Sequence, residues 1–313
     1  MPNLGSVSIL ALPIMAFLIS CQNPSASDFF YGSLGVTPKL IITSSSSVTA
    51  SPFLAVQYSL SGQFEKVLID TTFENRILRG LAPIDAFHFL ISTDTVDSIL
   101  NLDMFNGRTT WVANGNLSGN IYDLRRASNG QVFVIETTNI ESFDSDGNRI
   151  GNPRIPSTAI GACQITTAAR GMAIDRNGTV VVGSQGNDDI LFFDVSNPSA
   201  TSCLAANTSL GNVDPVAVIA HSNGFIYVAA TSGTDAVYRI NGDGTGSATA
   251  IWTGATTSNP TAMTEMPDGS ILLALDGTNN IIKIDTSGNV LANPFIQDGF
   301  TNYVQDMMIT GTP

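Results

Sequence analysis

The chain is poor in the residues from which most catalytic sites are built. It holds two histidines and three cysteines in 313 residues. His88 lies in a strand-like run and His221 in a turn, so a zinc cluster or a Ser-His-Asp relay has little to be made from. Neither Cys163 nor Cys203 has the basic surroundings that mark a reactive thiolate. Charge is scarce as well, at 12% of residues, with 13 Lys and Arg against 26 Asp and Glu and a net charge of -13. So few cations argue against nucleic acid, whose phosphates must be neutralised by Lys and Arg. The acidic balance favours solubility or cationic partners. No phosphate loop or dinucleotide fingerprint occurs, and no segment of helical period follows residue 30.

One long apolar run is present, "ILALPIMAFLI" from Ile9 to Ile19, which has signal-peptide length and is short for a membrane span. It leads into "LISC", Leu18 to Cys21, which resembles a bacterial lipobox. The resemblance implies cleavage before Cys21 and a lipid on its thiol, although the leader "MPNLGSVS" carries no Lys or Arg. The alternative is an ordinary cleaved secretory signal. Gln22 after the cysteine implies, by resemblance to the enterobacterial sorting pattern, the outer rather than the inner membrane. The expected organisation is a lipoprotein signal peptide over 1–20, a lipidated tether over 21–38 and one folded unit over 39–313. In an oxidising compartment Cys163 and Cys203, about one repeat apart, either form a disulfide or stay as two buried thiols.

Self-alignment gives the strongest signal. "RGMAIDRNGTVVVGSQGNDDILFFD" (Arg170 to Asp194) lies over "RGLAPIDAFHFLISTDTVDSILNLD" (Arg79 to Asp103) without a gap. The stretches from Ile121, Pro215 and Pro260 follow the same plan. Each unit ends in a turn, at Gly62, Gly107, Gly147, Pro198, Gly244 and Gly288. Four short runs rich in Val, Ile, Phe and Tyr per unit, with Asn-Gly and Asp-Gly turns, suit one blade of a radial array. Six turns predict an all-β, six-bladed β-propeller of four-stranded antiparallel blades. The first blade lacks its front strand, with "KLIIT" (Lys39 to Thr43) as its second strand. "NYVQDMMIT" (Asn302 to Thr310) supplies the missing first strand, so the C-terminal strand closes the ring.

The "PDG…I" hairpin followed by "N-x-I-x-x-x-D" resembles the NHL-repeat and gluconolactonase-like propellers over residues 39 to 310. That resemblance is specific for fold and poor for function, because propellers host lyases, hydrolases, lactonases and pure binding modules. A gluconolactonase-like metal site needs a Glu at the start of the final inner strand, where this chain has "TNYVQD". The streptogramin lyases, also propellers, use a histidine that has no match here.

Ligands of such rings bind where the D–A connections and B–C turns gather around the channel. Aligned blades place Arg79, Tyr122, Asp123, Arg170, Asp214, Asn259, Tyr303 and Gln305 at the starts of inner strands, with Asp94, Glu136, Ser184, Thr231 and Asp276 at the ends of second strands. Arg79 and Arg170 hold equivalent positions a third of a turn apart and suit a clamp on a carboxylate or phosphate. The alternative is that each pairs with a neighbouring carboxylate such as Asp123 or Asp214 and ties blades together. Asp94, Glu136, Asp214 and Asp276 offer oxygen ligands of the kind Ca²⁺ accepts; the alternative is solvated or capping carboxylates.

The expected function is an exported lipoprotein whose propeller is a binding or scaffold module in the cell envelope, for a protein, small-molecule or polymeric ligand. A metal-dependent hydrolase or lactonase at the channel is the alternative.

Overall fold

The computed structural model describes residues 37–44, 53–71, 77–94, 97–112, 117, 120–137, 139–150, 169–185, 188–194, 202–205, 210 and 213–310. Its strands fall into six sheets. The first holds β1 (Lys39–Ser44), β2 (Leu54–Tyr58) and β3 (Phe64–Asp70); the second holds β4 (Leu78–Pro83), β5 (His88–Thr93), β6 (Ser98–Asp103) and β7 (Gly107–Val112). The third is β8 (Ile121–Arg126), β9 (Val132–Glu136) and β10 (Ile140–Phe143), and the fourth is β11 (Ala169–Ile174), β12 (Thr179–Ser184), β13 (Asp189–Asp194) and β14 (Ser202–Ala205). The fifth is β15 (Asp214–Ala220), β16 (Phe225–Thr231), β17 (Ala236–Asn241) and β18 (Thr249–Thr253). The sixth is β19 (Pro260–Glu265), β20 (Ile271–Leu275), β21 (Asn280–Ile284) and β22 (Val290–Ile296), and β23 (Val304–Thr310) returns to the first sheet beside β1.

This is the six-bladed propeller that the repeat predicts, with three or four strands per blade among the described residues. The third blade has three strands among the described residues, and its outer edge carries only a single bridge, Phe143 to Arg149. Inner strands β23, β4, β8, β11, β15 and β19 each touch the next around a closed circle. Closure follows the expected route. Lys39 pairs with Thr310 and Ile42 with Met307, so the two ends of the chain share one antiparallel ladder.

The short apolar runs become intelligible once each blade is seen to be covered on both faces. Side chains alternate across a strand. In β20, Leu272 and Ala274 therefore pack against the first blade, while Ile271, Leu273 and Leu275 pack against the fifth. Six such apolar clusters exist, one per pair of neighbouring blades. Each fully buried Leu or Ile contributes about 1.5–3 kcal/mol from transfer out of water.

The inner strands share a further device. Each slips register once against its second strand, which leaves Gln305, Tyr122, Val216 and Thr261 unpaired in four blades, and Arg79 with Gly80 and Arg170 with Gly171 in the other two. A bulge of this kind re-aims a side chain. All six of these residues, Gln305, Arg79, Tyr122, Arg170, Val216 and Thr261, are half-buried between buried neighbours.

Candidate functional site

The six bulge residues line one cavity at the channel mouth, of about 190 Å³. Going round the ring from the first blade they are Gln305, Arg79, Tyr122, Arg170, Val216 and Thr261. Large polar or aromatic groups thus occupy four neighbouring blades. The two small residues, Val216 and Thr261, leave room on the other side, where Thr231, Asn259, Asp276 and Tyr303 complete the wall.

Arg79 and Arg170 are equivalent in the repeat and differ in their partners. Arg79 Nη2 lies 2.6 Å from Asp94 Oδ2, with Nε at 3.2 Å from the same oxygen, and its Nη1 donates to Gln305 Oε1 in the first blade. Its carboxylate partner is thus Asp94 of its own blade rather than Asp123 or Asp214, and the tie to the neighbouring blade runs through Gln305. Arg170 has no carboxylate ion-paired with it among the described residues, and its Nε is buried without a hydrogen-bond partner. What it touches is an aromatic face. Its Cζ lies 5.3 Å from the centre of the Tyr122 ring, and Arg79 Cζ lies 5.6 Å from the same centre. Thr261 Oγ1 is a second buried polar atom of this cavity without a partner.

The same cavity is also lined by a network that the repeat did not foretell, made of Asp123, Arg125 and Asp306. Arg125 Nη1 is 2.5 Å from Asp123 Oδ1 and 2.9 Å from Asp306 Oδ2. Each carboxylate also reaches the next blade: the backbone N–H of Met172 donates to Asp123 at 2.8 Å, and that of Leu81 to Asp306 at 2.7 Å. Glycine makes the reach possible. A Cβ on Gly80 would stand 2.6 Å from Leu124 N and 2.7 Å from Asp123 Oδ1, and one on Gly171 would stand 2.6 Å from Ala217 Cα. The Arg-Gly pairs thus combine a bulge side chain with the close approach of two strands. Burial pushes the Asp123 carboxyl up, to about 7, with Asp306 adding to the shift against Arg125 and two backbone N–H groups. Burial opposes the Arg125 charge, but Asp123 and Asp306 outweigh it and hold the proton more tightly than usual.

Of the other carboxylates singled out in the sequence, Asp276 lines the cavity, and burial raises its carboxyl while the Tyr303 N–H opposes the shift. Glu136 is fully buried at the end of β9, within electrostatic reach of Asp97 and Glu141, and does not line the cavity. Asp214 is outside the lining too and accepts a hydrogen bond from Ser232. Among the described residues no three His, Cys, Asp or Glu side chains stand close enough to share a metal ion. Cys21 and Cys163 lie outside the described residues, and of Cys203 only its place opposite Leu191 is described.

Backbone conformation singles out the same face. Among the described residues, six non-glycine residues have positive φ, Asp97, Asp188, Ser232, Asn259, Asn279 and Tyr303, and all stand in B–C turns or D–A connections. At the A–B and C–D hairpins the positive-φ residues are glycines. A side chain in that region costs on the order of 1 kcal/mol or more, and this face bears that cost at six positions beside one positive-φ glycine, Gly233, in a B–C turn. A larger groove, about 970 Å³, lies on the opposite face among the A–B hairpins. Its histidine is already engaged, with His221 Nε2 donating to Gly269 O at 3.0 Å and Nδ1 accepting from Asn223 N.

No protein-family description matches the chain, and no curated protein sequence does. Solved structures do match. A chain of a nidogen/laminin complex aligns at TM-score 0.69 and 13% identity, over 87% of this chain and 98% of that one. The virginiamycin B lyase of Staphylococcus aureus aligns at TM-score 0.56 and 17% identity, over 68% of each chain. A structure of YCF48 bound to D1 peptide aligns at TM-score 0.51 and 11% identity, over 79% of this chain and 77% of that one. At such identities the likeness is one of fold, and propeller neighbours of both binding and lyase type are among them.

Proposed function

We propose that this propeller is a binding module that seats a carboxylate-bearing ligand in the cavity at its channel mouth. The observation that carries the reading is Arg170, a guanidinium on a bulge, stacked on Tyr122, without a carboxylate partner among the described residues and with a buried Nε that makes no hydrogen bond. A guanidinium fork matches a carboxylate bidentately. The partners recorded in the nidogen–laminin and YCF48–peptide structures support binding as a use of this fold. The test is calorimetric titration of acetate and inorganic phosphate into the protein and into Arg170→Gln. Acetate binding that the substitution abolishes is expected; equal binding by both would overturn the reading.

For its address, we propose export and lipid anchoring at Cys21 on the outer membrane of a bacterial envelope. The "LISC" sequence and Gln22 support this. Metabolic labelling with a palmitate analogue should mark the chain and fail in Cys21→Ala; labelling of both would contradict it.

A further inference from the structure

We infer that the ligand is a small zwitterion, with its carboxylate on Arg170 and its ammonium on Asp276; this rests on the reading of the cavity as a carboxylate seat and narrows it. Three observations carry the step. First, one cavity holds one cation and one anion, neither paired with an opposite charge among the described residues: Arg170 on the fourth blade and Asp276 on the sixth. The Asp276 carboxyl accepts a hydrogen bond from the Tyr303 N–H and stands in the B–C turn of its blade. Partial burial makes its lone charge unfavourable, and a bound ammonium would offset that. Second, Thr231, Asn259 and Thr261 add neutral hydrogen-bonding groups to the lining beside the apolar Val216, and the Thr261 hydroxyl is buried with no partner. Third, size and field select the ligand. A volume of 190 Å³ is about six waters at ~30 Å³ each, which suits a molecule of amino-acid size and is below the few hundred Å³ of sites for larger ligands. The chain carries a net charge of -13, so its long-range field opposes a bare anion, whereas a net-neutral zwitterion meets no such repulsion.

The experiment is calorimetry on the full chain with acetate, methylammonium, glycine, β-alanine and 4-aminobutanoate, a series in which the distance between the two charges grows. At least one zwitterion should bind tenfold or more tightly than acetate. Asp276→Asn should erase the advantage, so that this zwitterion and acetate bind the variant equally, since asparagine loses the charge and keeps an acceptor for the Tyr303 N–H. Acetate binding with no zwitterion tighter, or a zwitterion advantage that survives Asp276→Asn, overturns the zwitterion and leaves the carboxylate seat standing. Silence from acetate and from every zwitterion overturns both. The series on the unaltered protein decides the matter even if a substitution fails to fold.

Discussion

Arg79 and Arg170 stand on the bulges of alternate inner strands, both over the ring of Tyr122, and only Arg79 has a carboxylate partner among the described residues. Sequence symmetry therefore conceals a division of labour. One arginine joins blades through Gln305, and the other is the one proposed to meet a ligand.

That division sets opposite outcomes for one substitution. Arg79→Gln leaves Asp94, only 8% exposed, without its cation and should cost about 3 kcal/mol of stability. Arg170→Gln removes only a contact with an aromatic face and should cost less than about 1 kcal/mol. Thermal melts of the two variants check this, and equal losses would contradict it.

Gly171→Ala tests the close approach of the inner strands. In an ordinary strand the change stabilises by roughly 0.5–1 kcal/mol. Here the new methyl meets the backbone of β15 at 2.6 Å, so a loss of about 1–3 kcal/mol is expected from overpacking. Denaturant midpoints decide the sign.

Ring closure makes the last strand indispensable. β23 supplies Val304, Met307 and Ile309 to one interblade core and Met308 to the next. Deleting residues 303–313 should abolish cooperative melting, and a synthetic peptide of residues 302–313 added in trans should restore it. A truncated chain that melts as the intact one does would refute closure by this strand.

Stability should rise as pH falls from 8 to 5. Burial raises the carboxyls of Asp97, Glu141, Asp188 and Asp276, and pushes Asp123 up to about 7. A raised folded-state value means that the native chain holds protons the unfolded chain has released, so these groups stabilise most below the unfolded carboxylate range and lose that contribution as pH climbs through their folded values. The turn carboxylates Asp144, Asp268 and Asp285 are lowered by their hydrogen bonds and act in the opposite sense, losing their contribution only as pH falls below the ordinary carboxylate range. Melting temperature against pH should peak at mildly acidic pH, and Asp123→Asn should flatten the limb between pH 5 and 8.

The blade count, the closing strand and four of the six bulge residues were legible in the sequence, because alternating burial on both faces of every strand forces a repeated apolar pattern. Val216 and Thr261 were not. The strand starts read from the aligned repeats were Asp214 and Asn259 instead, each two residues before the bulge. The A–B turn was the usable landmark: Gly178 follows Arg170 at the same interval as Gly224 follows Val216 and Gly269 follows Thr261. The network of Asp123, Arg125 and Asp306 escaped because it joins different blades through backbone N–H groups, and such partners leave no trace in one repeat. Only the alternation of glycine and aspartate, Asp306, Gly80, Asp123 and Gly171 round four blades, hinted at it.

The most direct test of the channel-mouth site is to watch the guanidinium itself. In a ¹⁵N-labelled sample the Nε–H signal of Arg170 is identified as the one missing in Arg170→Gln. Addition of acetate should move that signal in a saturable way while the Arg79 signal, held by Asp94, stays in place. An Arg170 signal that ignores acetate, or an Arg79 signal that moves in its stead, would contradict the assignment of the ligand seat.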